Sequence, residues 1–146
     1  MKNILLVEDD NSLNRGISFK LNKEGYKVFS AKNIEEAKEM FSKNNIDLIL
    51  LDVGLPDGNG FDFCSEIRKS SSTLIIFLTA CDQEVDIVTG LDIGADDYIV
   101  KPFSLMVLMS KINALMRRNS NKNTKQTLVS KDIIFYIDKM NVFKNE

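Results

Sequence analysis

Four apolar runs in this 146-residue chain each end in a polar residue able to handle a phosphoryl group. Ile4-Leu5-Leu6-Val7 runs into Glu8-Asp9-Asp10, and Leu48-Ile49-Leu50-Leu51 into Asp52. Leu74-Ile75-Ile76-Phe77-Leu78 runs into Thr79, and Tyr98-Ile99-Val100 into Lys101-Pro102. Continuous apolar runs of this length, separated by helix-length segments, read as buried strands of a parallel sheet. In such sheets ligands bind outside the carboxyl ends of the strands, so the pattern predicts carboxylates, a hydroxyl and an ammonium gathered at one sheet edge. Carboxylates as close as Glu8, Asp9 and Asp52 would then repel one another unless a cation neutralises them. A divalent metal is the economical answer, with Asp9 and Asp52 as ligands. Mg²⁺ suits one or two carboxylates plus a phosphate oxygen, and Mn²⁺ accepts the same donors. Each element has an ordinary reading as well: a solvated acidic loop, a turn-starting Asp before Pro and Gly, a strand-capping Thr. Lys101-Pro102 discriminates, because a lysine after a buried strand, held by a proline, aims one point charge at the strand-end site.

The elements that must position these groups alternate along the chain. Strands are expected near 2–7, 26–30, 47–51, 74–79 and 97–100. Helices are expected near 11–24, 34–44, 60–69, 83–93 and 104–118. The first helix carries Leu13, Ile17, Phe19 and Leu21 and stops at Gly25, a natural residue just past a helix end. The second has Ile34, Ala37, Met40 and Phe41 at three- to four-residue spacing. Five βα units predict a doubly wound α/β sheet, flavodoxin-like, with helices on both faces, over residues 1–118. Residues 119–127 contain no apolar side chain and read as a linker. Residues 128–146 turn to β-type patterning, with Ile133-Ile134-Phe135-Tyr136-Ile137 and Asn141-Val142-Phe143, too short for a second core.

Composition narrows the chemistry further. The chain contains no histidine, which removes Ser-His-Asp and Cys-His catalysis, histidine-ligated zinc and any phosphohistidine carried on the chain itself. A hydrophobic content of 44% suffices for one core, and 27% charged residues suits a soluble protein. No stretch approaches the roughly 20 apolar residues of a membrane span. The first apolar run is stopped at once by Glu8-Asp9-Asp10, as a strand and not a signal peptide would be. Cys64 and Cys81 have no metal-like spacing and read as reduced thiols of a cytoplasmic protein.

The segments Leu-Leu-Val-Glu-Asp-Asp, the Asp52 loop through Pro56 and Gly60, Thr79-Ala80 and Lys101-Pro102-Phe103 together resemble the receiver domain of two-component response regulators. The resemblance covers residues 1 to about 118, and Gly90-Leu91-Asp92-Ile93-Gly94-Ala95-Asp96-Asp97-Tyr98 is similar to the OmpR/PhoB subfamily in particular. It implies Asp52 as phosphoacceptor, with Mg²⁺ held by Asp9, Asp52 and the Gly54 carbonyl, and by Glu8 through water. It implies that Lys101 pairs with phosphoryl oxygens, that Thr79 and Tyr98 form a switch pair, and that Lys101–Pro102 is a cis peptide. A sensor histidine kinase is the implied donor. The tail, through Asp132-Ile133-Ile134-Phe135 and Asn141-Val142-Phe143-Lys144-Asn145, loosely resembles the opening strands of the winged-helix effector that follows such receivers. No recognition helix follows in these residues, so DNA binding is expected only with a complete effector domain. A receiver standing alone is the other expectation.

The same resemblance implies a homodimer through the face of helix 4, strand 5 and helix 5. Asp97 with Lys111 and Asp96 with Arg118 keep two opposite-charge pairs, and Val88, Leu91 and Met109 match the apolar patch. One usual salt bridge falls instead on Ile87 and Val107, both apolar, and another on Asp92 and Asn113. Leu105 to Met109 give helix 5 more apolar surface than one core-facing stripe requires. A dimer that is less sensitive to salt is expected. Ser104 is a natural N-cap for that helix.

The rival reading is a Mg²⁺-dependent phosphatase-like enzyme, which also uses a strand-end Asp, a metal and a Lys. Enzymes of that haloacid-dehalogenase-like class need a second Asp two residues after the nucleophile, and Gly54 stands there. A flavodoxin-like cofactor binder would need a Ser/Thr/Gly-rich loop after the first strand, where Glu8-Asp9-Asp10 has the wrong charge. The expectation is thus a switch that catalyses only its own phosphorylation and dephosphorylation.

Overall fold

The computed structural model describes residues 1–80 and 84–125, and for 84–87 and 119–125 the backbone alone. The elements run β1 (Asn3–Val7), α1 (Asn11–Lys23), β2 (Lys27–Ala31), α2 (Ile34–Lys43), β3 (Leu48–Asp52), β4 (Gly54–Leu55), β5 (Gly58–Asn59), α3 (Gly60–Arg68), β6 (Leu74–Thr79), α4 (Glu84–Ile93), β7 (Asp97–Val100) and α5 (Leu105–Lys125). The described residues divide into two units, 1–109 and 110–125.

The apolar runs form a five-stranded parallel sheet of order β2-β1-β3-β6-β7. Every residue of β3 and β6 is buried. A strand covered on both faces has no reason to alternate, which is why these segments read as unbroken apolar runs. On one face Leu5, Val7, Ile49, Leu51, Ile75 and Phe77 join Ala37, Phe63, Cys64 and Ile67 in a single core cluster. On the other face Ile4, Leu6, Leu48, Leu50, Ile76 and Leu78 are equally buried, as are Ile17 and Leu21 of α1. The order places β1 and β3 side by side at the centre, where the chain reverses its winding direction, and β3 ends on Asp52.

Caps fix most helix starts. Asp10 accepts from the Leu13 amide at α1, Asn33 from Glu36 at α2, and Asn59 from Phe61 at α3. Ser104 Oγ accepts from the amides of Met106 and Val107 at α5. Gly25, at φ 96°, follows α1 in the left-handed conformation that glycine tolerates best.

Four sequence expectations change. Phe19 is exposed: the buried line of α1 is Asn14, Ile17 and Leu21, and Phe19 points away from it. Met109 is buried, with Leu108, Ile112, Leu115 and Met116 at helical spacing, so it belongs to the core stripe of α5 and not to an exposed patch. The Asp52 loop, read only as a turn, contains the antiparallel pair β4–β5. The backbone of α5 continues to Lys125, through seven residues of the segment expected to be a linker from 119. The rest of that segment and the strands expected at 128–146 lie outside the described residues.

Candidate functional site at the carboxyl edge of the sheet

Parallel register brings the ends of β1 and β3 level, with Val7 beside Leu51. The next residues along these strands are Glu8 and Asp52, both buried. Ligand atoms of Glu8, Asp9 and Asp52 all lie within 4.8 Å of one another, while Asp9 itself is exposed and so opens the cluster to solvent. Lys101 arrives from the end of β7, two strands away. Its ammonium stands 2.9 Å from Glu8 Oε1 and 3.3 Å from Asp52 Oδ2. The Lys101–Pro102 peptide bond is cis. The Lys101 amide also donates to the Thr79 carbonyl at 2.8 Å, tying the ends of β6 and β7 together. Thr79 is buried, and Tyr98 is half-buried and packs against the core cluster.

One ammonium does not balance three carboxylates. Burial, and next the charge of Glu8, push the Asp52 carboxyl up to about 6 despite the opposing pull of Lys101. Burial works against the charge on Lys101 too, but its contacts with Glu8 and Asp52 prevail and hold its pKa above the ordinary lysine value. Among the described residues Glu8 Oε1 accepts no well-oriented hydrogen bond, and the Lys101 ion pair compensates it. An all-oxygen donor set with surplus negative charge, an underused buried oxygen and an open side fits a hard divalent cation such as Mg²⁺ or Mn²⁺.

Two supports of this site escaped the sequence reading. Asn14, buried in α1, donates from Nδ2 to the Glu8 carbonyl at 3.0 Å, and its Oδ1 accepts from Ser30 and Ser18. The signal available was a polar residue on the Ile17–Leu21 stripe. Asp57, at the tip of the β4–β5 hairpin, accepts from the amides of Ile34 and Glu35 at the start of α2.

Of the residues expected at a dimer face, Val88, Leu91 and Val107 expose large apolar side chains, as does Met106 in the apolar run that opens α5. Asp96 is engaged within its own chain, where its Oδ2 accepts from Arg68 at 3.2 Å and from the Ile75 amide at 2.9 Å. Asp97 Oδ1 accepts from the Tyr98 amide. Lys111 and Arg118 lie in the second unit, half-buried and exposed respectively, and the Ile87 side chain is outside the described residues.

A doubly wound five-stranded sheet, with an acidic cluster and a lysine at its central carboxyl edge, places the protein in the class of CheY-like receivers of two-component signalling. The chain belongs to the response regulator receiver domain family, which it matches over residues 4–113. Over 122 residues it is 44% identical to the probable transcriptional regulator ycf27 of Cyanidium caldarium, covering 84% of this chain and 49% of the relative. The chain thus spans about half the length of that curated relative. A two-component response regulator from Clostridium difficile superposes with a TM-score of 0.79 at 32% identity, covering 81% of this chain and 98% of that one. The response regulator TrrA from Thermotoga maritima, solved in complex with Mg²⁺-BeF, does so with a TM-score of 0.71 at 35% identity, covering 79% and 99%. Among the described residues no helix is long and apolar enough to cross a membrane.

Proposed function

We propose that Asp52 accepts a phosphoryl group from the phosphohistidine of a partner sensor kinase, and that the receiver acts as a cytoplasmic phospho-switch. The observation that carries this reading is the meeting of Glu8, Asp9, Asp52 and Lys101 at one edge. An Asp52 carboxylate oxygen attacks phosphorus as the phosphorus–nitrogen bond of the donor breaks, and the leaving imidazole keeps the electron pair and takes up a proton. Such transfers need in-line positioning and charge stabilisation more than covalent help. A divalent cation held by Asp9, Asp52 and the Gly54 carbonyl, with Glu8 acting through water, would supply counter-charge to carboxylates and phosphoryl oxygens alike. Lys101 is within ion-pair distance of Asp52 and can turn from Glu8 to a phosphoryl oxygen. Since the chain has no histidine, the phosphoryl group comes from another protein or a small phosphodonor.

The same reading makes Thr79 and Tyr98 the switch pair. The Thr79 hydroxyl is drawn toward the phosphoryl group and Tyr98 moves into the space it leaves, altering the face of α4, β7 and α5. The exposed Val88, Leu91, Met106 and Val107 support homodimerisation through that face. Likeness to a probable transcriptional regulator supports transcription as the output, through an effector domain of the OmpR/PhoB type. The chain turns over no external substrate and catalyses only its own phosphorylation and dephosphorylation. The test is intact-mass measurement after acetyl phosphate and Mg²⁺, comparing wild type with Asp52→Ala. A single phosphoryl adduct is expected on the wild type alone, and labelling that persists in the variant overturns the assignment.

A further inference from the structure

The loop after Asp52 is fastened at two ends. At its base the Gly60 amide donates to the Val53 carbonyl at 2.7 Å. A Cβ at Gly60 would stand 2.4 Å from the Asp52 carbonyl oxygen, so only glycine allows this approach. Between the ends, β4 and β5 pair with Gly54 opposite Asn59 and Leu55 opposite Gly58, which leaves Pro56 and Asp57 as the turn. Leu55 is buried, anchoring one side of the hairpin.

The tip is fastened to a different helix. Asp57 Oδ1 accepts from the Ile34 amide at 2.8 Å and Oδ2 from the Glu35 amide at 3.1 Å. Those are the first two amides of α2, which have no partner inside the helix. The third, Glu36, donates to Asn33 Oδ1 at 2.8 Å. The start of α2 is therefore capped twice, locally by Asn33 and from the hairpin by Asp57. These bonds hold the Asp57 carboxyl below its ordinary range, the one to Ile34 most strongly. Gly58 sits so close to Ile34 that a Cβ there would meet its Cδ1 at 2.7 Å, so hairpin and helix touch at two successive residues.

For α2, Asp57 serves the two amides that the Asn33 side chain does not reach. Its effect on the hairpin is a separate one. Gly54 is two residues from Asp52 and belongs to a two-residue strand with few bonds of its own. Without the tip contact the hairpin could pivot about its base, carrying the Gly54 segment relative to the acidic cluster. We propose that Asp57 is a positioning residue, whose bidentate clamp on the Ile34 and Glu35 amides fixes the Gly54 segment beside Asp52 and so sets the affinity of the Glu8–Asp9–Asp52 cluster for a divalent cation. The inference rests on the divalent-cation site of the proposed function.

The experiment titrates Mn²⁺ into the full chain and follows the free aquated ion by electron paramagnetic resonance, for wild type, Asp57→Ala, Asp57→Asn and Asn33→Ala. Asp57→Ala should weaken Mn²⁺ binding roughly tenfold, the lower end of the effect of removing groups that orient metal ligands. Asp57→Asn retains one acceptor for the Ile34 amide and should fall between. Asn33→Ala removes a cap from the same helix and leaves the hairpin tethered, so it should lower the melting temperature yet bind Mn²⁺ like wild type. Wild-type binding with unchanged affinity in Asp57→Ala overturns the clamp and leaves the functional reading intact. Equal weakening in Asn33→Ala also overturns it, because helix stability would then explain the loss. A wild type that binds no Mn²⁺ overturns the cation site and the clamp together.

Discussion

Replacing Asp52 by Asn should stabilise the protein at neutral pH in the presence of a chelator. The Asp52 carboxyl is pushed up from 3.8 to about 6, by burial first and by Glu8 second, with Lys101 opposing both. A shift of about 2 units at about 1.4 kcal/mol each gives an upper bound near 3 kcal/mol for holding the charge in the folded state. The cluster opens to water at Asp9, and solvent screening reduces this to about 1–2 kcal/mol. The sign follows from proton binding. Between roughly pH 4 and pH 6 the folded carboxyl holds its proton while the unfolded one has lost it, so stability falls as pH rises through that window. Asn carries no such dependence. The two proteins should therefore converge toward about pH 4 and separate to the full difference above about pH 7. Urea denaturation in chelator across this range measures it, and the neutral-pH difference corresponds to roughly 4–8 °C in melting temperature. On the proposed cation site, excess Mg²⁺ should shrink the gap by stabilising the wild type. An Asn variant no more stable than wild type at neutral pH, or a gap that does not close toward acid pH, would refute the electrostatic account.

Three further outcomes follow from the same geometry. Lys101→Ala leaves Glu8 Oε1 and Asp52 without their shared counter-charge, and should cost roughly 3 kcal/mol at neutral pH in urea titrations; phosphorylation by acetyl phosphate should slow roughly a hundredfold. Asn14→Ala strands the buried Glu8 carbonyl and the half-buried Ser30 hydroxyl, and should cost about 1–3 kcal/mol by the same measurement. On the proposed dimer face, sedimentation should show a dimer that persists at high salt, since Val88, Leu91, Met106 and Val107 offer apolar contact that ions do not screen; Met106→Asp should dissociate it, and a monomer at high protein concentration with and without a phosphoryl mimic would remove the proposal.

The sheet was legible because its central strands are buried on both faces, and continuous apolar runs have few other uses. The strand-end residues were legible for a related reason: a carboxylate or ammonium directly after such a run has only one place to be. Side-chain direction on helices was less legible. Phe19 is apolar but points away from Ile17 and Leu21, and composition alone does not penalise one exposed aromatic. Met109 looked available for contact because five apolar residues stand in succession, yet α5 buries Leu108 and Met109 and exposes Met106 and Val107. The continuation of α5 to Lys125 was missed because extending an existing helix requires only propagation, not burial, and a stretch without apolar residues can supply it. Asp57 was invisible for a third reason. Its partners are backbone amides of an element more than twenty residues away in sequence, and no local spacing records that meeting.

The electrostatic cost at Asp52 and the proposed switch have one origin. Three carboxylates sharing one ammonium leave the cluster with surplus negative charge, tolerable because Asp9 is exposed and Asp52 can hold a proton near pH 6. A phosphoryl group on Asp52 adds acceptor oxygens and takes the charge of that side chain toward about −2. Lys101, now divided between Glu8 and Asp52, would then gain more from the phosphoryl oxygens than from Glu8. Its backbone cannot follow freely, because its amide is bonded to the Thr79 carbonyl. A shift of the ammonium therefore loads the end of β6 at Thr79 and the end of β7, the strand that carries Tyr98. On the proposed function Glu8 would set the starting point of the switch: neutralising it would release Lys101 toward Asp52 before any phosphoryl group arrives.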